Sequence, residues 1–91
     1  MISLHTIETA LLTLSFNYST IRHATKCVDA WNSGDYDICE PVTAGNVELR
    51  RANDGCFVTI QRIADSGHWE YVTVAIPDNG DDFKTYTSTI R

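Results

Sequence analysis

Residues 7–14 place Ile7, Ala10, Leu11 and Leu14 three or four positions apart, the spacing of one helical face, with Thr6 as the expected N-cap. Leu12, Leu14, Phe16 and Tyr18 also alternate as a strand would, so residues 11–18 can be read either way. Helix through about Leu14 is the preferred reading. A second apolar stripe of Ile21, Ala24, Val28 and Trp31 predicts a helix capped by Ser19. It should stop at Asn32-Ser33-Gly34, where glycine can take the left-handed conformation that closes a helix.

The pattern then changes period. "DYDICEPV" (residues 35–42) predicts an extended segment with Tyr36, Ile38 and Val42 inward, at a sheet edge because Pro41 has no N–H to donate. "NVELRR", "CFVTIQRI" and "HWEYVTVAI" are separated by "ANDG" and "ADSG", which are turn signals, so three strands should form an antiparallel meander. After Pro77-Asp78-Asn79-Gly80, the threonine-rich alternation of "FKTYTSTI" predicts a fourth strand.

Side-chain chemistry sets the expected register. A three-residue loop at Asp65-Ser66-Gly67 pairs Ala64 with His68, which sets Arg62 against Glu70, Ile60 against Val72, Val58 against Val74 and Cys56 against Ile76. That arrangement gathers an aliphatic row and an opposite-charge pair on one face, whereas a one-residue slip would mix faces. A two-residue turn at Asp54-Gly55 would then set Leu49 opposite Ile60. The other face is left with Phe57, Thr59, Gln61, Ile63, Trp69, Tyr71 and Thr73, and with Glu48 and Arg50 from the neighbouring strand.

Length and composition narrow the possibilities. Ninety-one residues, 43% apolar and 21% charged, suit one compact domain over residues 1–91 with a single modest core. The fold class expected is α+β, with two N-terminal helical segments packed on a three- to five-stranded antiparallel sheet. The net charge of -5 is uneven: residues 1–34 balance, residues 35–45 carry -3 from Asp35, Asp37 and Glu40, and residues 64–91 carry another -3. No basic stripe is available to neutralise phosphates, which disfavours direct nucleic-acid binding. An acidic surface suits a partner protein with a basic surface. The apolar runs are too short to span a bilayer, and "MISLHTIE" lacks the features of a secretion signal, so the chain reads as cytoplasmic and without a membrane segment.

Candidate chemistry is sparse. Cys27, Cys39 and Cys56 are an odd number without CxxC spacing, which fits neither a disulfide framework nor a zinc site. His23 and Cys27 lie one helical turn apart, the minimum for an activated thiol, but any short helix offers such a pair and Cys27 borders the buried stripe. His5 and His68 lack ligand spacing. "PDNGDD" has oxygens too closely spaced for a calcium loop and no closing glutamate. The sequence therefore yields no catalytic, metal or cofactor assignment. "AWNSGDYD" is similar to the helix end of nuclear-transport-factor-like cone folds over eight residues only; the chain is short for that family and lacks its next helix, so no residue role is carried over.

Trp, Tyr and Arg dominate binding hot spots. The aromatic face therefore points to a non-enzymatic protein-binding module, an inhibitor or adaptor that occupies a partner's surface. Phage-encoded inhibitors of host defence and bacterial immunity proteins are settings that use small acidic domains of this kind. The expected contact residues are Phe57, Trp69, Tyr71, Gln61 and Arg50, with Asp35 and Asp37 steering the approach. Two other readings compete with this one. The first is an enzyme or small-ligand binder with a pocket between helices and sheet, using His23, Cys27 or Trp31. The second is a homo-oligomer that buries its own aromatic face.

Overall fold

The computed structural model describes residues 1–34, 47–78, 80 and 82–89. Two helices, α1 (Leu4–Thr13) and α2 (Tyr18–Asn32), precede the strands β1 (Val47–Ala52), β2 (Gly55–Ile63), β3 (Trp69–Pro77) and β4 (Lys84–Thr89). The strands form one antiparallel sheet in the order β1-β2-β3-β4, a meander, and both helices lie on one face of it. This is the expected α+β class. No helix among the described residues is long and apolar enough to cross a membrane.

Both helices start earlier than the sequence suggests. Ser3, not Thr6, caps α1, its hydroxyl accepting from the Thr6 N–H at 3.3 Å. Asn17, not Ser19, caps α2, its side chain accepting from the Thr20 N–H at 2.8 Å. An N-cap side chain accepts from the N–H two or three residues on, and here the spacing is three in both helices. Thr6 and Thr20 are thereby carried inside their helices, where they are buried.

The ambiguous stretch is helical through Thr13 and closes on Ser15, whose φ of 64° puts a non-glycine residue in the left-handed region. Phe16 N–H donates to Leu11 O and Ser15 N–H to Leu12 O, both at 3.0 Å, which is the hydrogen-bond pattern of a Schellman stop. The second helix stops where expected, with Gly34 at φ 85° and its N–H on Trp31 O at 3.0 Å.

The β2–β3 register is the one argued from side chains: Cys56↔Ile76, Val58↔Val74, Ile60↔Val72 and Arg62↔Glu70, closed by Ala64 N–H to His68 O at 2.8 Å. The β1–β2 register differs by two positions. Leu49 faces Val58, and Val47 faces Ile60, because the turn residues are Asn53 and Asp54 and Gly55 already pairs with Ala52. A shift of two preserves the faces, so the aliphatic row survives the correction. Gly55 is needed for close approach rather than for a positive φ: a Cβ there would lie 2.1 Å from the Ile76 carbonyl oxygen of β3.

The core joins Ile7, Ala10 and Leu11 of α1 and Ala24, Cys27 and Val28 of α2 to the inner face of β1–β3, represented by Val58, Ile60 and Val74. Trp31 is only partly buried, at the margin of that cluster rather than within it. Two polar ties fasten the elements, one joining α2 to the segment before α1 and the other joining the end of α1 to the sheet. Asn32 makes a reciprocal pair with the Ile2 backbone, accepting from its N–H and donating to its C=O, both at 2.8 Å. Arg62 meets the Glu70 carboxylate at 2.7 Å, donates to the Leu14 carbonyl at the end of α1, and lies 4.5 Å from the centre of the Phe16 ring. A cation at a helix C-terminus also suits the helix dipole. The expected edge strand of residues 35–42, with Asp35 and Asp37, lies outside the described residues.

Candidate protein-binding face

Directly opposed residues of an antiparallel pair project to the same side, so the three registers define the outer face row by row. One row runs Arg50, Phe57, Ala75, Lys84 and the next runs Glu48, Thr59, Thr73, Tyr86. A third runs Gln61, Tyr71, Ser88, and Ile63 beside Trp69 closes the set. The alternation that sends Val58, Ile60, Val72 and Val74 under the helices forces these residues outward.

The aromatic side chains on this face are neither buried nor loose. Phe57 is 37% exposed, Tyr71 38%, Trp69 48% and Tyr86 55%, so each residue is partly covered and partly accessible. An aromatic side chain has only two χ angles, so it loses little conformational entropy when a partner covers it. The centre of the face is fixed by a hydrogen bond between the Thr59 and Thr73 hydroxyls at 2.9 Å. At its edge Arg50 Nε lies 2.9 Å from Glu48, with both side chains mostly in water, a pair worth about 0–1 kcal/mol. That guanidinium can therefore exchange its carboxylate for a partner's at small cost. Lys84 adds the remaining charge, so the patch is close to neutral within an acidic chain.

Concavities flank the face at both ends. One, of about 410 Å³, lies where the α1–α2 turn meets the strand ends, with Phe16, Asn17, Gln61 and Trp69 in its wall. The other, of about 510 Å³, is bounded by Phe57, Ala75, Pro77, Phe83 and Lys84. An aromatic surface with a recess at either end, the one beside Phe83 largely apolar and the one beside Asn17 mixed in polarity, can seat anchoring side chains as well as planar contacts.

The structure thus brings Phe57, Gln61, Trp69, Tyr71 and Arg50 onto one surface, as the sequence register implies. It adds Tyr86 and Lys84, which sequence reasoning missed. Their alternation in "KTYTST" was visible, but only the pairing of Thr73 with Tyr86 shows which side they occupy. His23 Nε2 lies 3.8 Å from Cys27 Sγ, yet Cys27 is 1% exposed and forms part of the core, and the cavities described above are lined by other residues. His5 and His68 are exposed on separate elements. Among the described residues, no three His, Cys, Asp or Glu side chains are grouped so as to hold a metal ion.

No protein-family model, curated protein or solved structure matches this chain.

Proposed function

We propose that this chain is a non-enzymatic protein-binding module that occupies a partner protein's surface through the outer sheet face. The observation that carries the reading is the cluster of half-exposed aromatic side chains, Phe57, Trp69, Tyr71 and Tyr86, on the side of the sheet opposite both helices. These rings resemble an interface because they offer large apolar area on side chains with few rotatable bonds, and because Arg50, Gln61 and the threonine hydroxyls can supply hydrogen bonds around them. The partner chemistry that fits is a largely apolar patch with an acidic group near Arg50 or Lys84. A basic region would meet the acidic residues 35–40, so the role is that of an inhibitor or adaptor acting by coverage, and phage inhibitors of host defence and bacterial immunity proteins remain its candidate settings.

The test is to identify the partner by affinity capture from the native host and to measure its affinity for Trp69→Ala and Tyr71→Ala beside their thermal stability. Each substitution should weaken binding about thirty-fold, near 2 kcal/mol, in a protein that still folds. Full affinity in folded variants would remove this face as the interface.

A further inference from the structure

The strand β4 differs from the other three in having water on both sides. All six of its residues, Lys84–Thr89, are exposed, including Thr85 and Thr87, which face Val74 and Val72 on the helical side. The reason is geometric: α2 packs over β1 and α1 over β3, so neither helix extends its cover across β4. On its far side β4 has no hydrogen-bonded strand among the described residues. An edge of this kind is normally blunted by shortness, by charged side chains (lysine above all), by a proline or by a bulge. Here the sequence is regular, β-branched and aromatic, with one lysine at its start.

We propose that this edge pairs with the β4 edge of a second copy, antiparallel about a two-fold axis perpendicular to the sheet. Such an axis keeps every side chain on its own face, so residues of matching parity meet. Centred on Tyr86, the pairing sets Thr85 against Thr87 and Lys84 against Ser88. Centred on Thr87, it sets Thr85 against Thr89 and Tyr86 against Ser88. Both arrangements join threonines or tyrosine with hydroxyl neighbours, and neither opposes two lysines. Charge favours the same location, since β4 contains no acidic residue in a chain of net charge -5 that would otherwise repel its copy.

The product is an eight-stranded sheet with the two outer faces on one side, so the Tyr86 rings lie near the axis and the two aromatic patches become coplanar. A six-residue edge is short for a permanent interface, which makes the dimer concentration-dependent. This inference does not depend on the partner-binding reading, because it uses the edge of β4 rather than the rings of β2 and β3.

Sedimentation equilibrium of the full chain tests it. The mass should rise with concentration from 10.2 kDa towards twice that value, and amide exchange across residues 84–89 should slow in parallel. The double substitution Thr85→Lys, Thr87→Lys puts like charges opposite one another at positions already in water, and should hold the chain monomeric with an unchanged circular dichroism spectrum. A single-chain mass at every soluble concentration would overturn the proposal. So would a dimer that survives those lysines or dissociates instead on Trp69→Ala. If the lysine variant does not fold, the exchange rates of the unsubstituted protein decide alone, with concentration-independent exchange along β4 counting against the pairing.

Discussion

Replacing Arg62 with methionine should expose how the helical layer is fastened to the end of the sheet nearest the candidate interface. The guanidinium bonds Glu70 at 2.7 Å, and the Glu70 side chain is only 13% exposed. Without its partner, that carboxylate would stand almost wholly out of water and unpaired. A hydrogen bond to a charged group contributes about 1.5–3 kcal/mol and the contact over the Phe16 ring about 0.5–2 kcal/mol. Because 30% of the Arg62 side chain remains in water, the lower part of each range applies. With the Leu14 carbonyl also losing its donor, the expected cost is about 3 kcal/mol. For a domain of this size, that lowers Tm by roughly 12–24 °C. Urea denaturation should show the midpoint falling at constant slope. Adding Glu70→Leu should restore most of the loss, since replacing both members of a buried pair by apolar residues is often close to neutral. A cost below about 0.5 kcal/mol for Arg62→Met, or losses that simply add in the double variant, would refute the account.

Two further substitutions probe the backbone. Ser15→Gly should raise stability by about 1 kcal/mol, because it relieves a left-handed conformation that a side chain disfavours; an unchanged or lower Tm would show that the serine contributes more than strain. Gly55→Ala should cost about 3 kcal/mol or prevent folding, since its Cβ would lie 2.1 Å from the Ile76 carbonyl oxygen and the β2 and β3 backbones would have to separate; near-native stability in a chemical melt would contradict that geometry.

The amino-acid pattern alone determined the two helices, the strand segments of the meander, the β2–β3 register and hence which aromatic residues face away from the helices. These follow from local rules: a period of three to four or of two, and the requirement that Ile60, Val58, Val72 and Val74 share one side. The tertiary structure decided what local rules leave open. Ser3 rather than Thr6 caps α1, because a cap depends on where the helix can begin against the sheet, with Ile2 buried and tied to Asn32. The β1–β2 turn falls on Asn53-Asp54 because Gly55 is required beside Ile76, a contact with a residue twenty-one positions along the chain that a turn signal cannot express. Arg62 and Glu70 are legible as a pair, but their joint with Leu14 and Phe16 exists only once α1 is docked. Tyr86 belongs to the outer face because β3 pairs with β4 in one register, and β4 is exposed because, among the described elements, the helices pack over β1 and β3 and do not reach it. Both are consequences of layer geometry, which no window of sequence contains.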